Sequence, residues 1–133
     1  MGTWIADYVD AYNIRDAEAA TRFMADDAVY EDVGAGGLFR GRDAILHYYV
    51  ASYQHSTDSR TVIISEQQSG NKFAFEWEME GTNDGEFGSL PATHKRYKLR
   101  GVTVGEHADG RFTSKRDYYN LADLLSQLGV PPS

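Results

Sequence analysis

Two aspartates, each on a segment that reads as a strand and each with a tyrosine on its own face, are groups that acid–base chemistry could use. Asp32 falls in Ala28–Val33, where alternation puts Ala28, Tyr30 and Asp32 on one face and Val29, Glu31 and Val33 on the other. Asp117 falls in Arg111–Tyr119, with Lys115 and Tyr119 on its own face. A carboxylate beside a tyrosine on such a strand is either a solvated edge group or an acid or base lowered into a cavity, and the local residues leave both open. In a dry cavity, burial disfavours the charged form, and an aspartate there can take and return a proton near neutral pH. Lys115 either pairs with Asp117 or touches a ligand. If it pairs, Asp117 becomes the fixed anion and Asp32 the better proton shuttle.

The elements that would hold these residues follow from the pattern. Thr3 caps a first helix that ends at Asn13, with Trp4, Ile5, Tyr8, Val9 and Tyr12 at helical spacing. Asp16 caps a second, whose stripe is Ala19, Ala20 and Phe23. Asp26-Asp27 reads as an acidic turn before the strand 28–33, and Gly34–Gly37 as a flexible loop after it. A third helix runs from Ala44 to about Tyr53, introduced by Gly41 and Asp43, with Ile45, Tyr48, Tyr49 and Ser52 along one side. Strands are expected at Thr61–Ser65, Phe73–Glu80, Arg96–Val104 and Arg111–Tyr119, with tight turns at Asn83-Asp84-Gly85 and Asp109-Gly110.

FAFEWEME is the cleanest alternation in the chain, setting Phe73, Phe75, Trp77 and Met79 against Ala74, Glu76, Glu78 and Glu80. The glutamates are expected to meet Lys98 and Arg100 across a ladder. Trp77 is expected to be pocket wall, so that its loss would weaken ligand binding more than the fold. A last helix, Leu121–Leu128, is stopped by Gly129 and two prolines. Helices first and long strands after make an α+β pattern, here a curved antiparallel sheet with a concave apolar face wrapped against the helices.

Composition narrows the function classes. The 133 residues are expected to form one domain spanning 1–133, and a net charge of −7 argues against a nucleic-acid partner. No apolar run approaches a membrane span, no leader is visible, and Ala6 stands where myristoylation of Gly2 would want Ser or Thr. The absence of cysteine rules out disulfides, and His47, His55, His94 and His107 lack metal-ligand spacing, so no metal is expected. The cytoplasm is the expected compartment. Nine tyrosines beside six phenylalanines and two tryptophans suit the walls of a pocket that is apolar with polar tips. A homodimer through the outer sheet face is expected, because Glu76, Glu78, Lys98 and Arg100 lie there beside Val102 and Val104.

Tyr8, FMADDAVYED, FRGRDAI, GTNDGEFGSLPATHK and, above all, the ending DGRFTSKRDYYNLADLLSQLG resemble the nuclear transport factor 2-like superfamily, in particular its SnoaL-like branch of polyketide cyclases and ketosteroid isomerase-like proteins. The resemblance covers residues 4 to about 130 and implies a cystatin-like cone with a central apolar pocket. Carried over, the isomerase pattern puts a general base at Asp32 and an oxyanion-binding tyrosine at Tyr8. It also wants a second, protonated acid on the long strand, where this chain offers Gly101 or a neighbour. The epoxide hydrolase pattern matches at Tyr30 and Asp117, but Phe75, Trp77 and Met79 stand where its Arg and Asp would be. The cyclase pattern makes Asp117 the equivalent of its general acid. His94 stands where such sequences commonly have glycine, and Asn120 where a second acid often follows.

The resemblance thus implies a cofactor-independent isomerase- or cyclase-type enzyme acting on a hydrophobic, polyketide- or steroid-like carbonyl compound. Asp32, Tyr8 and Asp117 are its candidate catalytic residues. Tyr30, Phe75, Trp77, Met79, Lys115 and Tyr119 are the candidate contacts to a small hydrophobic molecule. The competing readings are a non-catalytic module of the same fold that binds a ligand or docks a protein, and a degenerate epoxide hydrolase.

Overall fold

Thr3 caps α1 (Trp4–Asn13), its hydroxyl accepting the Ala6 N–H at 3.1 Å. The computed structural model describes residues 3–131; Gly2 and the second of the two prolines after the last helix lie outside the described residues, as do both ends of the span 1–133. Ile5, Tyr8 and Val9 form the buried face of α1. Arg15, at φ 65°, turns the chain into α2 (Ala17–Thr21), whose cap Asp16 accepts from the N–H groups of Glu18 and Ala19. Ala19 and Ala20 are buried, and these small side chains let α2 sit close against its neighbours.

β1 (Met24–Asp32) starts four residues before the expected strand, so Asp26 and Asp27 lie within it rather than in a turn. The register slips between Met24 and Val29, which leaves both aspartates exposed on an irregular stretch; Asp26 pairs with Arg42 at 3.0 Å. Beyond that slip the alternation is as expected, with Ala28, Tyr30 and Asp32 all buried. The glycine loop leads into a strand not anticipated from the sequence, β2 (Gly37–Arg40), which pairs back on β1 with Tyr30 opposite Phe39. Its four residues are too few to show alternation. α3 (Arg42–His55) then buries Ile45, Tyr49 and Tyr53.

β3 (Arg60–Ser69), β4 (Lys72–Thr82), β5 (Arg96–Ala108) and β6 (Arg111–Tyr119) follow, then α4 (Leu121–Leu128). The sheet order is β2-β1-β6-β5-β4-β3. Every neighbouring pair is antiparallel except β1–β6, which is parallel, because the chain returns to β1 only after traversing the whole sheet. The sheet is curved and unclosed, and register shifts in β1, β3 and β5 mark where its strands bend. The result is the expected α+β cone.

Asn83-Asp84-Gly85 is not a tight hairpin. Residues 83–95 form a long connection between Thr82 and Arg96, which pair with each other. Fully buried Asn83 organises it: its side-chain oxygen accepts from the Thr93 N–H and hydroxyl, and its amide donates to Gly85 O. His94 has φ 61°, which explains why a glycine is at home there. Asp109-Gly110 is the expected turn, both residues having positive φ. Asn120 is the N-cap of α4, its side chain accepting the Asp123 N–H at 3.0 Å, and Gly129 ends that helix at φ 71°.

β5 outruns its pairing with β6, which stops at Gly101 opposite Tyr119. There Gln127 of α4 bonds both the N–H and the C=O of Lys98 at 2.8 Å each, and so stands in for a strand. On the outer face Lys98 meets Glu78 at 3.4 Å; no ion pair joins Arg100 to the glutamates among the described residues. No helix is long and apolar enough to cross a membrane among the described residues.

Candidate functional site

The concave face of the sheet and the helices enclose a cavity of about 510 Å³, within the usual range for a small-molecule site. Tyr8 of α1, Tyr30 and Asp32 of β1, Tyr48 and Tyr49 of α3, and Lys115, Asp117 and Tyr119 of β6 line it. Phe75, Trp77 and Met79 of β4, Leu99 of β5 and Leu121, Leu124 and Leu125 of α4 supply apolar wall. Phe87, Gly88, Ser89 and Leu90, from the connection 83–95, also reach it. All nine residues singled out from the sequence therefore border one space.

Asp117 is the centre of a directed hydrogen-bond network. Tyr30 donates to its Oδ2 at 2.6 Å and Thr103 to its Oδ1 at 2.7 Å. Lys115 Nζ lies 3.0 and 3.1 Å from the two oxygens. The direction at Thr103 is set by Trp77, because an indole N–H can only donate: Trp77 Nε1 gives to Thr103 Oγ1 at 2.8 Å, so the Thr103 proton goes to Asp117. Thr103 is 1% exposed and Lys115 4%, so this is an interior network. The Lys115–Asp117 pair follows from their i, i+2 spacing on one face of β6.

Asp32 stands apart from it. It is 5% exposed; Tyr48 donates to Oδ2 at 2.5 Å and the Ala35 N–H to Oδ1 at 2.9 Å. No cation pairs with it among the described residues. The glycine loop matters here: Gly34 lies beneath the Tyr119 ring, where a Cβ would come within 2.5 Å of the ring carbons. The loop is thus fitted to Tyr119 as well as closing over Asp32.

Tyr8 bonds not to Asp32 but to Tyr49, hydroxyl to hydroxyl at 2.6 Å. Burial pushes the phenols of Tyr8, Tyr30 and Tyr49 well above their ordinary range. The Asp117 charge adds to this in all three, and the neighbouring Tyr49 phenol adds to it in Tyr8 and Tyr30. Tyr48 and Tyr119 are raised by burial first and by Asp32 next. His55, also at the cavity, is lowered by burial, partly offset by Asp84. The pocket tyrosines are therefore neutral hydrogen-bond donors.

Trp77 is more deeply set than a pocket wall. It lines the cavity, yet it is 7% exposed with its N–H bonded to buried Thr103, which makes it at once wall and a packed part of the network. Sequence reasoning gave no site role to Tyr48, Tyr49 or Thr103. Tyr48 and Tyr49 stood in plain view on the helical stripe of α3, but only the packing of α3 against β1 and α1 could have aimed them at Asp32 and Tyr8. No group of His, Asp and Glu suited to hold a metal ion occurs among the described residues.

A family model described as a SnoaL-like domain matches residues 5–115. No curated protein matches the chain. Among solved structures, a protein of ketosteroid isomerase-like fold from Catenulispora acidiphila, in complex with trimethylamine, superposes with a TM-score of 0.86 at 20% identity, over 98% of this chain and 95% of that one. A protein proposed to be a SnoaL-like polyketide cyclase, from Jannaschia sp. CCS1, gives 0.85 at 14% identity over 97% and 91%. IdmH from Streptomyces antibioticus, also proposed to be a polyketide cyclase, gives 0.80 at 24% identity over 96% of each chain. At these identities the likeness is one of fold.

Proposed function

We propose, from the premise that this chain belongs to the SnoaL-like domain family, that its pocket performs acid–base chemistry beside the carbonyl of a hydrophobic, polyketide- or steroid-like compound. The reaction is of isomerase or cyclase type, with Asp32 as the proton-transferring group. One observation carries this reading: of the two aspartates at the cavity, Asp117 is neutralised by Lys115 while Asp32 has no cationic partner among the described residues. Asp117 already accepts from Tyr30, Thr103 and Lys115, whereas the donors at Asp32 are the Ala35 N–H and the uncharged phenols of Tyr48 and Tyr119.

In this reading Asp32 removes a proton from the carbon next to the carbonyl. The electron pair of that C–H bond forms a C=C bond, and the C=O pair moves onto oxygen, giving an enolate. A hydroxyl of the Tyr8–Tyr49 pair hydrogen-bonds that oxygen. In isomerisation, protonated Asp32 returns the proton to a different carbon. In cyclisation, the enolate carbon attacks a second carbonyl carbon, whose oxygen takes up the proton. General acid–base catalysis of this kind contributes roughly 10²–10⁴ in rate. Phe75 and Met79 with Leu99 would hold the apolar part of the substrate, and Tyr30, Trp77, Lys115 and Tyr119 would hem in its polar end.

The test is deuterium exchange at the carbon next to the carbonyl across a panel of hydrophobic ketones, which needs no knowledge of the natural substrate. Wild type should exchange, Asp32→Asn should not, and Asp117→Asn should keep a measurable rate if it folds. A dead Asp117→Asn beside an active Asp32→Asn would transfer the role to Asp117. Exchange with no member of the panel would leave a binding pocket without this chemistry.

A further inference from the structure

We propose that the ammonium of Lys115 is the second donor of the oxyanion hole, so that the pocket selects ligands that carry or develop an anionic oxygen, such as an enolate or a phenolate. This rests on the reading of the pocket as an acid–base site, and would supply a second donor where the isomerase pattern wants an acid and this chain offers Gly101 or a neighbour.

Lys115 borders the cavity yet is only 4% exposed. Its nitrogen lies 3.0 and 3.1 Å from the Asp117 oxygens, 4.4 Å from the centre of the Tyr30 ring, and 5.6 and 5.8 Å from those of Tyr8 and Tyr49. An ammonium has three protons. Asp117 takes two, which leaves one among the tyrosine rings. A second unshared proton lies beside it. Tyr8 and Tyr49 have two hydroxyl protons and share one hydrogen bond, and neither makes another among the described residues. Both residues are buried, at 4% and 2% exposure, so the remaining phenol proton must seek its acceptor in the cavity.

The groups around Lys115 fix its nitrogen in place. Tyr30 from β1 and Thr103 from β5 hold Asp117, and Trp77 holds Thr103. Asp117 in turn holds the lysine, with the ring centres of Tyr8 from α1 and Tyr49 from α3 at 5.6 and 5.8 Å from its nitrogen. A buried ion pair is a weak source of stability compared with apolar packing of the same volume. As a device for aiming one N–H at a ligand oxygen, in a medium that strengthens the contact, the same arrangement has a purpose.

The probe is 4-nitrophenol, whose ionised form is followed by absorbance, with 4-nitroanisole as its neutral analogue. Wild type should bind the phenolate in preference to the phenol, so that the bound probe ionises at lower pH than the free one. Lys115→Met alone would strand Asp117, so the variant of choice is Lys115→Met with Asp117→Asn, which removes both charges. It should lose phenolate affinity by roughly 10–100-fold and keep its affinity for 4-nitroanisole. Asp32→Asn, by removing a negative charge, should bind phenolate more tightly than wild type. A folded double variant that keeps the phenolate preference overturns the proposal. So does a wild type that binds the anisole and rejects the phenolate. Because no turnover is required, phenolate selection without deuterium exchange would remove the acid–base reading alone, and exchange without phenolate selection would remove this one alone.

Discussion

Gly101 and Trp77 are cross-strand partners, and a Cβ on Gly101 would lie 2.3 Å from the Trp77 ring. The glycine is therefore the seat of the indole. The space beside Gly101 on the long strand is filled by an aromatic ring that belongs to the Asp117 network.

Gly101→Asp should consequently fail to supply an oxyanion donor. It should instead push Trp77 aside and destabilise the protein by about 1–3 kcal/mol, the usual result of overpacking. Urea melts measure this, and an unchanged midpoint would mean that the ring yields freely.

Trp77→Ala should cost about 3–5 kcal/mol, the range for a large buried aromatic. Thr103→Val, which nearly preserves shape, leaves one Trp77 donor and one Asp117 lone pair unmatched and should cost about 1–3 kcal/mol. The double variant should cost less than the sum, since both act on one hydrogen-bonded chain. Strict additivity in denaturant melts would count against the chain acting as a unit.

The Tyr8–Tyr49 pair makes an unusual demand on mutagenesis. Tyr8→Phe leaves the Tyr49 proton free for a ligand, and Tyr49→Phe leaves that of Tyr8. Each single variant should slow ketone exchange by less than about tenfold, and the pair together by considerably more. Equal rates for all three variants would show that neither hydroxyl meets the substrate oxygen.

Stability should fall as the solution is made alkaline. The phenols of Tyr8, Tyr30 and Tyr49 are raised in the folded protein above the ordinary value of 10.0 that an unfolded chain restores. Above that value the folded state binds more protons than the unfolded one, so their contribution is fully present below pH ~10 and lost as pH rises beyond it. Ultraviolet titration should find these tyrosines silent until unfolding. Phenolate absorbance from the intact fold, with all nine tyrosines ionising near their ordinary value, would contradict their burial.

The outer sheet face is proposed to join two copies. Val62 and Ile64 are 41% and 51% exposed and Tyr118 45%, on a face where glutamates of β4 lie beside Lys98 and Arg100 of β5. A two-fold rotation could lay one row against the other. Light scattering at micromolar concentration should report twice the chain mass; a monomer there removes the proposal.

β4, with the cleanest alternation, was legible from the sequence to within two residues at either end, because burial on one face writes itself into the period. β2 was not, since four edge residues carry no period. The Asn83 connection was misread because an Asn-Asp-Gly run signals a tight turn, whereas Asn83 spends its side chain pinning a far longer segment. The parallel contact of β1 with β6 is a matter of topology, invisible to any local pattern. At the site, i, i+2 spacing on one strand yielded the Lys115–Asp117 pair, while the partners of Tyr8 and Asp32 on α3 came only with the fold.

The two bonds between Gln127 and Lys98 tie the accessibility of the cavity to the cover over a strand edge. The helix that carries Gln127 also carries Leu121, Leu124 and Leu125 to the cavity. Any excursion that peeled α4 away to admit a bulky molecule would bare a stretch of unpaired strand in the same movement. Such an edge is a template for stray chains. The cover that keeps this edge quiet therefore also restrains this end of the pocket from opening widely.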